Sequence, residues 1–130
     1  MRIVFDTNIF ISALVFPGGS AEKALHRIID GIDELVLSKS ILDELLGVLA
    51  RKFGRDREQL ARTAVLLAEL ATVVKAGRRL EVLADEADNR ILECAVADKA
   101  DLIVTGDRDM LALGEYEGIR IATLRAYLGR

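Results

Sequence analysis

The sequence predicts an α/β protein whose parallel sheet of about five strands is covered by helices on both faces. Three observations predict it. Short runs that are apolar nearly throughout recur along the chain, as in "RIVF", "ELVLS" and "DLIVT". Stretches with apolar residues at three- and four-residue spacing lie between those runs, which is the period of a helix with one buried face. Strands that do not alternate apolar with polar are buried on both sides, as parallel strands joined by helical crossovers are. Right-handed crossovers leave few topologies for such a chain.

Taken in order, "RIVF" at Arg2 to Phe5 is a buried strand, and "NIFISALVF" is an apolar helix that Pro17, Gly18 and Gly19 end. Ser20 is placed to cap the next helix, with Ala21, Ala24, Leu25, Ile28 and Ile29 on one face and Gly31 as its stop. "ELVLS" at Glu34 to Ser38 is the second strand. Ser40 with Asp43 resembles a capping box for the helix that carries Ile41, Leu42, Leu45, Leu46 and Leu49 inward and ends by Gly54. Asp56 with Gln59 caps a further helix, whose stripe is Leu60, Ala64, Leu67 and Ala68. "TVVK" at Thr72 to Lys75 is the third strand. Asp88 opens a helix running through Ile91, Leu92, Ala95 and Val96. Asp101 to Thr105 is the fourth strand and Ile119 to Thr123 the fifth, with a short helix after it.

At 130 residues the chain suits one compact domain, spanning 1–130, long enough to bury a core. Hydrophobic residues at 52% with charged residues at 30% exclude a disordered composition. A net charge of −3 argues against a surface coated for electrostatic capture of nucleic acid, though not against a local basic patch. Cys94 is the sole cysteine, which excludes an internal disulfide and a multi-cysteine zinc site. No signal-peptide layout and no membrane-length apolar run is present, so the expected location is the cytoplasm.

The first strand ends on a carboxylate, Asp6, and a buried carboxylate needs a partner, water or a cation. In open parallel sheets the functional crevice lies beyond the carboxyl ends of the strands. Asp107, in "VTGD", stands in the same position after the fourth strand, and Gly106 permits a tight exit turn. If those strands are neighbours, both acids emerge on one edge of the sheet. Glu44, one turn into the helix after the second strand, and Asp88, at the start of the helix before the fourth, can reach the same crevice. Clustered carboxylates repel and their pKa values rise, and a hard divalent cation relieves this. Such a cation polarises a phosphoryl oxygen and orients water, which suits phosphodiester hydrolysis. Each residue also has an ordinary reading: Asp88 and Asp107 as helix caps, Glu44 as a solvated helix residue.

The segments "IVFDTNIFISAL", "SKSILDELLGVL" and "DEADNRILECAVADKADLIVTGDRDML", in this order, resemble the PIN-domain family over essentially the whole chain. The likeness is greatest to small prokaryotic PIN proteins of the VapC toxin type. The resemblance implies a three-layer α/β/α sandwich and a Mg²⁺- or Mn²⁺-dependent endoribonuclease. Carried onto this chain, it assigns Asp6, Glu44, Asp88 and Asp107 as the catalytic, metal-holding acids, supported by Asn8 and Thr105. Asp109 is a nearby fifth acid and Asp85 an outer-shell candidate, neither essential to the pattern. It also implies homodimers and, for true toxins, a small antitoxin partner.

RNA must be held by cations, and Arg51, Lys52, Arg55 and Arg57, with Arg62 close by, cluster around the turn at Gly54. Arg78 and Arg79 follow the third strand. A basic rim around an acidic pit fits backbone-led binding, whereas aromatic residues at 5% give little sign of a base-stacking platform. His26 points away from its helix's apolar stripe, and Cys94 reads as a buried small apolar side chain. A receiver-like signalling domain fits poorly, since Asp6 has no acidic neighbour, the third strand ends at Lys75, and no Lys follows Thr123. The remaining alternative is a PIN-fold binding or regulatory module without nuclease activity.

Overall fold

The computed structural model describes residues 1–129. Strand β1 (Arg2–Phe5) leads into α1 (Thr7–Val15) and α2 (Ser20–Ile29), then β2 (Glu34–Ser38), α3 (Lys39–Phe53), α4 (Arg57–Leu70) and β3 (Ala71–Val74). Helix α5 (Glu86–Asp98) follows, then β4 (Leu102–Val104), α6 (Arg108–Leu113), β5 (Glu115–Tyr116), β6 (Ile119–Ala122) and α7 (Leu124–Leu128). The six strands form one sheet in the order β3-β2-β1-β4-β6-β5, parallel except for β5 against β6, with helices on both sides. The expected parallel sheet is therefore mixed, and has one strand more than the sequence indicated.

From β1 the chain moves to β2 on one side, while β4 fills the other side of β1, so the order of strand addition reverses between β1 and β4. A crevice opens at such a switch point. Phe5 pairs with Val104 in register, which puts the next residues, Asp6 and Thr105, side by side at the carboxyl edge. The Asp6 N–H continues the ladder by donating to the Val104 carbonyl at 3.0 Å.

The central strands are buried as read: Ile3, Val4, Phe5, Leu35, Val36, Leu37, Leu102, Ile103 and Val104 are all within the core. Strand β3 is not. It is the sheet's edge, and Thr72 and Val73 are exposed, because a short apolar run carries no signal of how many neighbours its strand has. Strand β5 escaped sequence reading for a different reason. It is two residues long and turns back through Glu117 (φ 48°) and Gly118 (φ 83°), a type I′ hairpin whose first central residue is Glu and not the usual Asn or Asp.

Helix starts shift from the sequence reading in three places. Ser20 is not a cap: Gly19 holds that position without a side-chain bond. Ser38, not Ser40, caps α3 by accepting from the Ile41 N–H at 3.2 Å, so the strand's last residue is also the helix's cap, and Asp43 pairs instead with Lys39 at 2.6 Å. Asp85, not Asp88, caps α5, accepting from the Ala87 N–H at 2.8 Å. The Asp56–Gln59 capping box on α4 is present as read. Ile29 and Ala68, expected inward, are exposed, while Cys94 is fully buried, its thiol pushed up to about 12 by desolvation.

At the opposite, amino edge of the sheet, buried Asp33, just before β2, ties together Met1, α2 and α7. It accepts from the Met1 ammonium (3.0 Å), Arg27 Nε (3.2 Å) and the Tyr127 hydroxyl (2.7 Å), and the Arg27 guanidinium lies over the Tyr127 ring. Burial alone would raise the Asp33 pKa, but these three donors outweigh it and hold the carboxyl below its ordinary value. Among the described residues, no helix is long and apolar enough to cross a membrane.

Candidate active site

Asp6 is 4% exposed, and its carboxylate is held at both oxygens. Oδ1 accepts from the Asn8 N–H at 3.1 Å, which caps α1, and Oδ2 accepts from the Thr105 hydroxyl at 2.6 Å. Thr105 is fully buried, and the same hydroxyl accepts from the Asp107 N–H at 3.0 Å. One hydroxyl thus fixes the Asp6 rotamer and the exit turn that carries Asp107. Asp107, half-buried, caps α6 through Oδ2, which accepts from the Met110 N–H at 2.9 Å. Its capping role and its place at the crevice coexist, because a carboxylate has lone pairs beyond the one the cap uses.

Asp88 lies in the first turn of α5 and is 7% exposed. Since Asp85 takes the cap, the Asp88 carboxylate is spared that duty. Its pKa is pushed up to about 7, chiefly by burial and then by the charges of Asp107, Asp85 and Asp6. Asp6 is pushed upward too, by burial and by Asp107 and Asp85, although the Thr105 and Asn8 donors oppose the shift. The structure therefore brings Asp6, Asp88 and Asp107 into mutual electrostatic contact, with Asp85 at the margin.

Glu44 is exposed on α3 and is not among the charges acting most strongly on Asp6 or Asp88. It lines a cleft of about 420 Å³ with Thr7, Ile41, Ala87 and Arg90. Thr7 follows Asp6 and Ala87 precedes Asp88, so this cleft borders the acids. Asn8 takes part through its backbone, its side chain being exposed, and Asp109 is exposed in the first turn of α6. Among the described residues, no group of three or more His, Cys, Asp or Glu side chains is arranged to enclose a metal ion. The donor chemistry, all carboxylate and hydroxyl oxygen with no facing cation to relieve Asp88, still fits a hard cation that keeps much of its water shell.

The basic residues divide. Arg51, Lys52 and Arg57 are exposed and Arg55 half-buried, while Arg62 pairs with Glu58 (2.9 Å) and Arg78 with Glu117 (2.9 Å). The Arg51 guanidinium folds back one turn over Gly47, where a Cβ would meet it at 2.8 Å.

Sequence reading missed the groups that hold α5 in place. Asn89, 1% exposed, accepts from the Val82 and Leu83 N–H groups (3.1 and 2.8 Å) and donates to the Leu83 carbonyl (2.8 Å). Glu93 accepts from the Leu80 N–H (2.8 Å) and pairs with Arg90 (2.9 Å). These contacts clamp the segment after β3 onto α5 and so fix the height of Asp88. The available signal was polar residues at 89 and 93, one turn apart on a helix face otherwise filled by Ile91, Leu92 and Ala95.

Fold and site together define a doubly wound α/β protein with an acidic crevice at its switch point. The chain belongs to the PIN domain family, whose model matches residues 2–109. A relative in Methanocaldococcus jannaschii, the uncharacterized protein MJ1680, is 31% identical over 117 residues, covering 87% of this chain and 75% of that one. The fold is similar to VapBC2 from Rickettsia felis bound to a DNA fragment from their promoter (TM-score 0.65, 15% identity, 95% of this chain and 98% of that chain). It is similar as well to VapBC-1 from nontypeable Haemophilus influenzae (TM-score 0.64, 18% identity, 96% and 99%).

Proposed function

We propose that this PIN-domain protein is an endoribonuclease that hydrolyses RNA phosphodiester bonds with Mg²⁺ or Mn²⁺, and that it is the toxin of a toxin–antitoxin pair. The observation that carries the proposal is Asp88: a nearly buried carboxyl pushed up to about 7 by burial and by three other acids, and among the described residues paired to no cation. That arrangement is unfavourable for the free protein and is relieved by a divalent cation. Asp6, Asp88 and Asp107 would hold the ion, some of them through water, in keeping with the absence of a tight acidic cage among the described residues. When bound, the ion supplies charge against the developing negative charge on the phosphate.

The chain's own groups do the positioning. Thr105 keeps the Asp6 carboxylate at one rotamer and sets the Asp107 turn. Glu44, across the cleft from Thr7 and Ala87, orients the attacking water. The exposed cations Arg51, Lys52 and Arg57, with Arg55, hold the RNA backbone. The fold's likeness to VapBC chains supports a small antitoxin as partner, and the proposal takes a homodimer as the working form and the cytoplasm as its location.

The test is cleavage of structured RNAs with Mn²⁺ present and with the ion chelated. Wild-type protein cleaves only with the ion, and Asp6→Asn, which keeps the cap to Asn8, stays folded and loses cleavage. A folded, fully active Asp6→Asn protein would overturn the assignment. Absence of cleavage in every metal and RNA condition instead favours a PIN-fold binding module, a reading that the open arrangement of the acids also suits.

A further inference from the structure

Among the described residues, the most exposed large apolar side chain is Phe16, at 62%. It ends α1, where its N–H donates to the Ser12 carbonyl at 3.1 Å, and the Pro17-Gly18-Gly19 turn with Gly18 at φ +94° carries the chain away from it. Its ring packs edge-to-face on Phe53, centroids 6.1 Å apart and planes at 80°. Phe53 in turn ends α3, between Lys52 and the Gly54-Arg55 turn. The two helices that begin beside the acids, α1 at Asp6 and α3 just before Glu44, thus finish together at an open aromatic pair.

An exposed ring suits either a protein partner or a nucleobase, and the surrounding charge decides between them. Among the described residues, Arg51, Lys52, Arg55 and Arg57 form no ion pair or side-chain hydrogen bond. The one acid among them, Asp56, is occupied as the α4 cap, accepting from the Gln59 N–H at 2.8 Å. Arg57 is the first residue of α4, where the helix dipole disfavours a cation, so its placement does not serve the helix. The net charge is −3, so this run of free cations is local. Phe and Arg occur in protein-docking patches as well, but a set of free cations with no available acid among them favours a polyanion. Aromatic rings flanked by cations are the means by which single strands are held, base on ring and phosphate on cation.

We propose that Phe16, backed by Phe53 and flanked by Lys52 and Arg55, is a stacking subsite for a base of single-stranded RNA bound to this protein. The length of α1 sets it about 15 Å from Asp6, a span of a few nucleotides. The subsite binds the flank of a strand whose scissile phosphate lies at the acids, and to that extent it rests on the nuclease reading. On this proposal a single exposed ring serves where the low aromatic content gave little sign of a stacking platform.

The chain contains no tryptophan, so Phe16→Trp places a single indole fluorophore at the subsite. The full-length protein, with metal chelated to prevent cleavage, is titrated with a short oligoadenylate. Emission from the introduced indole reports stacking and, in parallel, anisotropy of labelled RNA reports binding. Stacking quenches the emission with the same midpoint as the anisotropy change. Phe16→Ala weakens binding by about five- to a hundredfold with an unchanged salt slope, whereas Lys52→Ala and Arg55→Ala each lower that slope by about 0.7. Binding without quenching, a Phe16→Ala protein that binds as wild type, no binding by the wild type, or a Phe16→Ala protein altered only in association with itself or another protein overturns the subsite. RNA binding is measured without metal and cleavage with it. Intact cleavage with no role for Phe16 sinks the subsite alone, and stacking without cleavage under any metal sinks the nuclease alone.

Discussion

Replacing Asp88 with Asn tests the site's central strain without reference to turnover. The Asp88 carboxyl titrates at about 7 in the folded chain against an ordinary 3.8. The native state therefore holds this proton more tightly than the unfolded state does, and between those values folding stability falls as pH rises. A displacement of that size corresponds to about 4 kcal/mol as an upper bound, at 1.36 kcal/mol per pH unit. Asp6 is shifted the same way and steepens the slope. An Asn at position 88 keeps the shape and removes the charge, so it should unfold at higher urea concentration than wild type at pH 8 and with no more than a small difference at pH 4. We expect a gain of about 1–3 kcal/mol at pH 8, since part of the repulsion among Asp6, Asp85 and Asp107 remains. Urea unfolding in chelator across pH 4 to 8, read at constant m-value, measures it. Added Mn²⁺ should raise the wild-type midpoint and leave the Asp88→Asn midpoint nearly unmoved. An Asp88→Asn protein less stable than wild type at pH 8, or one with the wild-type pH slope, would refute the reasoning.

Two further outcomes follow from the same geometry. Asp33→Asn leaves Arg27 and the Met1 ammonium facing an amide at the buried amino edge, and should lower stability by about 3 kcal/mol at pH 7 by urea unfolding. Because the Asp33 carboxyl is held below 3.8, its contribution is present above that pH and is lost as pH falls through the folded value, so wild type but not Asp33→Asn should show this acid limb. Gly47→Ala adds a Cβ that meets only the flexible end of Arg51, at 2.8 Å, and should raise stability by up to about 1 kcal/mol in thermal unfolding.

Much of this was legible in the sequence, and the parts that were not share a cause. Asp6 could be placed because it follows an apolar run directly, and Asp107 because only Thr105 and Gly106 separate it from one, so a strand's end fixes roughly where each side chain emerges. Asp88 was legible as a helix-start acid but not as the uncapped one: "DEAD" offers two aspartates three apart, and only the fold shows that Asp85 takes the Ala87 N–H. The same ambiguity displaced the α3 cap from Ser38 to Ser40. The edge position of β3, the Asn89 and Glu93 clamp, and the meeting of Phe16 with Phe53 depend on contacts distant in the chain. Local periodicity carries no record of them.

The two edges of the sheet treat buried acid in opposite ways. At the amino edge, Asp33 meets an ammonium, a guanidinium and a hydroxyl, and its charge is favoured. At the carboxyl edge, Asp6 receives only neutral donors, and the charges acting most strongly on Asp88 are all negative. A chain able to satisfy one buried carboxylate so fully could have placed a cationic side chain among the others. Arg90 shows that this was within reach: it lines the cleft beside Glu44, yet its guanidinium turns to Glu86, Glu93 and the Leu80 carbonyl, while its Nε finds no partner. This cation of the cleft is thereby committed to holding α5. On the proposed nuclease reading, an exchangeable cation fits the acidic crevice better than a fixed one, since a built-in arginine would neutralise the acids and leave no place for the ion.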